Sequence, residues 1–187
     1  MELKKYFEII HLAEKLKNTT RHCVTSAGRT ESVAEHSWRA ALMAYFLKDE
    51  FPKADINKVI LMCIFHDMGE AFTGDIPTFE KNKNDEKNEN EILYDWISSL
   101  PRNYSQELKE LFDEMNEQKT VESKIYKAID KTEAVIQHNE SPISSWLELE
   151  YELQKNYGKE NCEFSEYMKN FRSQILNDTN KKIQEGK

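Results

Sequence analysis

Glycine and proline are scarce in this chain, 5 and 4 among 187 residues. Sandwiches and barrels need many tight corners, and these two residues make most corners possible, so the shortage argues against an all-β architecture. The 3 cysteines, Cys23, Cys63 and Cys162, are odd in number, widely spaced and never in a CxxC pair. That pattern argues against a disulfide framework and a thiolate zinc site, and the three read as reduced, with Cys63 in the core. No apolar run approaches the roughly 18 residues of a membrane span. The segment Met1 to Leu16 has neither an apolar signal core nor a small-residue cleavage site, so a soluble, cytoplasmic protein is expected.

An excess of positive charge is also missing, since the formal net charge is -8. Such a surface repels nucleic acid polymers and acidic membranes. It does not exclude a small anionic substrate, because a few cations in a pocket outweigh a distant and screened surface field.

Leu, Lys and Glu, all good helix formers, are plentiful. The length suits one domain with one substantial core, and the fold class expected over 1–187 is all-α. Leu3, Phe7, Ile10, Leu12 and Leu16 form a stripe that predicts an opening helix, about 2–17, packed by one face. Residues 18–30 lose that period and predict a loop. Ser32 and Glu35 then form a capping-box pattern that starts a helix over about 33–50. Asp55 is the expected cap of a third helix, with Ile56, Val59, Ile60, Cys63 and Ile64 on its apolar stripe, ending near Gly69. Gly74-Asp75-Ile76-Pro77 reads as a turn. Residues 79–91 are almost free of apolar side chains, which suits a solvated loop, an exposed helix start or a lid. Further helices are expected over about 89–99, 105–117, 121–138, 143–156 and 164–182.

His66 and Asp67 continue the apolar stripe of the third helix. Burial of a carboxylate beside an imidazole is costly, and a divalent cation compensates it directly. His36 lies one turn into its own capped helix, and Asp130 lies among Tyr126, Ala128, Ile129 and Val135 on a later one. Two imidazoles and two carboxylates suit one ion of Mn, Co, Fe, Ni or Zn, with open positions for water and substrate. The competing reading is a packed histidine and ordinary helix-face charges. Glu70 and Asp75 follow closely enough to orient or deprotonate a water, or to protonate a leaving oxygen. Only 5 of the 26 cationic side chains are arginine, yet Arg21, Arg29 and Arg39 flank His36. The planar guanidinium fork makes Arg21 and Arg29 candidates for holding a phosphate. His11, His138, Trp38, Trp96 and Trp146 are assigned to packing or surface.

Three runs in order, RHCVTSAGRTESVAEHSWRAA, HDMGEAFTGDIP and AIDKTEAV, resemble the HD-domain superfamily of metal-dependent phosphohydrolases, and within it the bacterial 5'-deoxynucleotidase group. The resemblance spans about 3–140, with 141–187 expected as helices completing the bundle. It implies an HD-type helical bundle, a metal held by His36, His66, Asp67 and Asp130, catalysis by Glu70 and Asp75, and phosphate contact by Arg21. It also implies homodimers and the hydrolysis of nucleoside 5'-monophosphates to nucleoside and phosphate. His22 and Cys23 stand where relatives commonly carry a tryptophan. Two alternatives are weighed: a phosphodiesterase acting on a signalling nucleotide, and a metal-stabilised nucleotide-binding module without turnover. No further histidines for a second ion lie between His36 and His66, which disfavours the first.

Overall fold

Helix α7 (Val121–Glu140) is the axis around which the other elements are arranged. Ile125, Ala128, Ile129, Thr132 and Val135 on it have no exposed surface. The structure, a computed structural model, describes residues 1–186. Packed on α7 are α2 (Val33–Phe46), α3 (Ile56–Phe65) and α9 (Glu166–Glu185), with α6 (Arg102–Glu117) beside them. Cys162 and Met168 join the same buried cluster as Val59, Met62 and Ile129, so the last part of the chain shares the core of the first. Cys23, Cys63 and Cys162 are buried free thiols.

Several expected features are present. Ser32 and Glu35 form the capping box that starts α2, and the Asp55 side chain accepts from the Lys58 amide at 3.2 Å at the start of α3. Other boundaries differ for local reasons. The opening helix α1 (Leu3–Lys15) packs only by its C-terminal end, since Leu3 and Phe7 remain 76% and 53% exposed. Residues expected as a loop form an antiparallel hairpin of β1 (Thr20–Val24) and β2 (Thr30–Ser32). Its threonines and valine favour extended backbone. Gly28, at φ 81°, closes the turn in a conformation open to glycine, and Gln137 Nε2 donates to the Val24 carbonyl at 2.8 Å, tying the hairpin to α7.

The expected third helix stops at Phe65, four residues before Gly69, and the chain tightens through 66–69 before α4 (Glu70–Thr73). Helix α5 (Lys83–Ser98) begins six residues before the expected Glu89, because Asn82 accepts from the Asn84 and Asp85 amides while Asp85 returns a bond to Asn82. The polar stretch 79–91 is therefore mostly helical. Instead of one helix over 143–156 there is a 3-10 turn, Ile143–Ser145, and a short α8 (Glu150–Asn156). Ser141 and Ser145 there bond to local carbonyls, which competes with helix continuation.

Candidate active site

His36 sits in the second turn of α2, His66 and Asp67 at the tightened end of α3, and Asp130 midway along α7. The ligand atoms of His36, His66 and Asp67 all lie within 4.8 Å of one another. His36 Nε2 is 3.2 Å from His66 Nε2 and 3.9 Å from Asp67 Oδ2, and His66 Nε2 is 2.9 Å from the same oxygen. Asp130 Oδ1 closes the set at 3.4 and 3.7 Å from the two imidazoles. Donors about 2.1 Å from a common ion are separated by roughly 3.0–3.4 Å along the edges of a tetrahedron or octahedron, close to these spacings.

Ring orientation gives an independent test of whether the set suits a cation. His66 Nδ1 faces the Cys63 carbonyl at 2.9 Å, an acceptor only, so that nitrogen carries the proton and Nε2 keeps its lone pair. His36 Nδ1 likewise contacts Glu133 Oε2, and both rings aim Nε2 at the same point. Two lone pairs face to face repel unless a proton or a cation lies between them. Burial and Arg21 lower the His36 pKa, but Glu133 and Asp130 outweigh them and raise it to about 9. The cluster thus holds positive charge at its centre, and the residues fit a divalent ion.

The surrounding charges are compensated. Burial works against ionisation of Asp67 and Asp130, yet His66 and His36 hold Asp67 well below the usual range, and Lys127 and Lys131 do the same for Asp130. Lys127 Nζ donates to Asp130 Oδ2 at 2.9 Å, leaving Oδ1 to the imidazoles. Glu133, with no exposed surface, also accepts from Arg39 Nε at 2.6 Å, and Arg39 continues to Glu140. A buried charge stripped of its partner costs about 3–5 kcal/mol, so these contacts position the cluster as well as tolerate it.

A cavity of about 470 Å³ opens onto the cluster, within the usual range for small-molecule sites. Arg21, Glu70 and Asp75 line it, as do His66, Asp67 and Asp130. Arg21 projects from β1 between Glu31, at 3.2 Å, and Asp67, at 3.8 Å. Burial opposes its charge, but Asp67, Cys23, Glu133 and Glu31 keep it cationic. Glu70, at the start of α4, is buried, and among the described residues its Oε2 has no hydrogen-bond partner. Burial, with Asp67 and Asp75 nearby, raises its pKa to about 10, so its carboxyl is protonated at neutral pH. Burial raises the Asp75 pKa too, and Asp67 adds to this against the pull of Arg21. Arg29 is not brought to this cavity: it lies 61% exposed, bonded to Glu35 on the outer side of the hairpin.

Residues beyond those singled out in the sequence also belong here. Lys127 and Lys131 line the cavity, as does His138, which was expected in packing or at the surface. Glu133 carried a readable signal, since it lies four residues after Ile129 on an apolar face. Glu150 and Gln154 carried none, because the bend over 141–149 that delivers them is not visible in helical periodicity.

A helical bundle gathering two histidines and two aspartates from three helices at the end of a cavity is a metal-site scaffold of a recognisable class. The sequence profile of the HD domain family matches residues 13–172, and the chain belongs to that family. The 5'-deoxynucleotidases HDDC2 of Homo sapiens and Bos taurus are 29% and 30% identical to it over 141 residues, 73% of this chain and 68% of each relative. A conserved hypothetical protein of Pyrococcus furiosus shares 32% identity at a TM-score of 0.70, covering 92% of this chain and 98% of its own. A predicted metal-dependent phosphohydrolase of Magnetospirillum magnetotacticum has the same fold, at a TM-score of 0.79 and 20% identity over 96% of this chain and 93% of its own. Among the described residues no helix is long and apolar enough to cross a membrane.

Proposed function

We propose that this chain is a metal-dependent phosphomonoesterase that hydrolyses nucleoside 5'-monophosphates to nucleoside and phosphate. The observation that carries this reading is the pair of imidazoles with Nδ1 committed and Nε2 converging, beside Asp67 and Asp130, at the end of a cavity that also holds Arg21 and a protonated Glu70. The names of the HDDC2 relatives support the nucleotide substrate.

His36, His66, Asp67 and Asp130 hold one divalent ion of the first transition row. When bound, it supplies Lewis acidity toward a phosphoryl oxygen and lowers the pKa of coordinated water. Arg21, ion-paired with Glu31 and Asp67, offers a guanidinium that binds the phosphate and balances charge developing on it. Lys127 and Lys131 add positive charge on the Asp130 side. Glu70 is a proton donor placed for the leaving oxygen of the nucleoside, and Asp75 orients the attacking water and accepts its proton. Glu133 and the Cys63 carbonyl position the two imidazoles and fix their tautomers.

The exposed α2 face supports pairing with a second copy, since Trp38, Leu42 and Phe46 share one side of the helix at 63%, 40% and 77% exposure. The test of the activity is a matrix of nucleoside monophosphates against manganese, cobalt, iron, nickel and zinc. Phosphate release from at least one nucleotide is expected, and a blank matrix refutes the reading.

A further inference from the structure

Between the end of α4 and the start of α5 the chain runs along the cavity as a short strap, residues 75–81. Gly74, at φ 79°, turns the chain out of α4, and Asn82 caps α5 at the other end. Every residue of the strap except Glu80 lines the cavity. The amides of Glu80 and Lys81 both donate to the Pro77 carbonyl, at 2.8 and 3.0 Å, so 77–81 is one tight turn. Only Ile76 separates that turn from Asp75, and a residue preceding proline has a restricted backbone. Whatever fixes the turn therefore also fixes Asp75.

Lys81 is the point at which the turn is fixed. Its Nζ pairs with Glu89 Oε2, in the second turn of α5, at 2.5 Å, and the two side chains are only 21% and 17% exposed. Glu89 is itself set against Gly69, where an added Cβ would lie 3.0 Å from Glu89 Cγ. Gly69 belongs to the tightened turn that carries His66 and Asp67 and immediately precedes Glu70. One carboxylate thus spans from the backbone of the metal-ligand turn to the strap that carries Asp75. The other side of the strap is tied through neutral hydroxyls: the Tyr157 oxygen accepts from Lys131 Nζ at 2.7 Å and lies 3.0 Å from Oγ1 of the exposed Thr78. A hydrogen bond between charged groups is roughly twice as strong as one between neutral groups, which makes Glu89 the main anchor.

We propose that Glu89 is a positioning residue for the hydrolysis: through Lys81 it fastens the strap 75–81 and so holds Asp75 at the metal end of the cavity. This rests on the phosphomonoesterase reading, in which Asp75 orients the attacking water, and it gives the polar stretch 79–91 a part in the reaction. Glu89 acts on the substrate only through the strap.

The test measures kcat and KM for dAMP with manganese-loaded protein, native and substituted. Glu89→Gln, which keeps the volume and removes the charge, is expected to lower kcat about tenfold, the scale of a lost hydrogen bond to a charged group, while KM stays within about threefold of native. Lys81→Gln is expected to give the same fall, and the double variant to be no slower than either, because both changes break one contact. A kcat unmoved by Glu89→Gln overturns the inference. So does a Lys81→Gln effect carried by KM, which would make Lys81 a direct phosphate ligand. Hydrogen exchange gives a readout free of turnover: the Glu80 and Lys81 amides are expected to exchange about tenfold faster in Glu89→Gln, with the α7 amides unchanged. Unchanged exchange in the strap, or faster exchange throughout α7, contradicts a local anchor. Native protein that releases phosphate from no nucleotide sinks the phosphomonoesterase reading itself, whereas native activity undiminished by Glu89→Gln sinks only the anchoring role.

Discussion

The two ends of the cavity are joined by one face of α7 and are built differently. Around Asp130 each ionised group has a fixed counterpart: Lys127 for Asp130, the imidazoles for Asp67, and Arg39 with His36 for Glu133. Around His138 one carboxylate lies near two imidazoles, and among the described residues the Gln154 oxygen has no partner. Holding an ion requires donors that cannot rearrange, and the second contacts of His36, His66 and Asp130 are committed to Glu133, the Cys63 carbonyl and Lys127. The Gln154 oxygen belongs to α8, beside the His138 end of the α7 face, about 12 Å along the helix from Asp130.

If the first end is the chemical one, its residues should dominate the rate. Asp67→Asn is expected to lower phosphate release by more than a hundredfold, since loss of a residue merely supporting a ligand already costs about 10- to 100-fold. Glu133→Gln is that supporting case. It is expected to weaken metal binding by about 10- to 100-fold in a calorimetric titration, and an unchanged affinity would show that His36 needs no such anchor.

Glu70 sharpens the contrast by trading stability for chemistry. Its folded pKa, about 10, lies above that of an exposed glutamate. Folding therefore requires it to stay protonated, and the resulting penalty is absent at low pH and grows as pH rises above about 4.3 toward the folded value. In chelator-treated protein Glu70→Gln is expected to raise Tm more at pH 8 than at pH 5, by about 2–4 °C for each kcal/mol regained, while lowering activity in the loaded enzyme. A Tm gain that is equal at both pH values contradicts the assignment. The smallest effect is expected from Arg29→Ala, whose exposed pairing with Glu35 lies outside the cavity. Activity should stay within about twofold of native, the scale of a surface ion pair.

The helical class and the metal cluster were legible because both depend on local pattern: apolar stripes, the Ser32 and Asp55 caps, and charged or imidazole residues in apolar surroundings. Arg29 was misplaced because a sequence shows that an arginine is near His36 in the chain, not which side of a hairpin it faces. The hairpin itself was hidden by its shortness, with β2 only three residues long. The far end of the cavity was illegible for a different reason. His22, His138, Glu150 and Gln154 come from β1, α7 and α8, and only the non-helical bend after Ser141 sets α8 against the hairpin side of α7.

The central claim is that His36, His66, Asp67 and Asp130 share one ion. Protein stripped by chelator, reloaded with manganese or zinc and washed free of unbound metal can be assayed for metal per chain by elemental analysis. One ion per chain is expected in the native protein, falling to near zero in the double variant His36→Gln, Asp130→Asn. Undiminished loading in that variant, or two ions per native chain, contradicts the account.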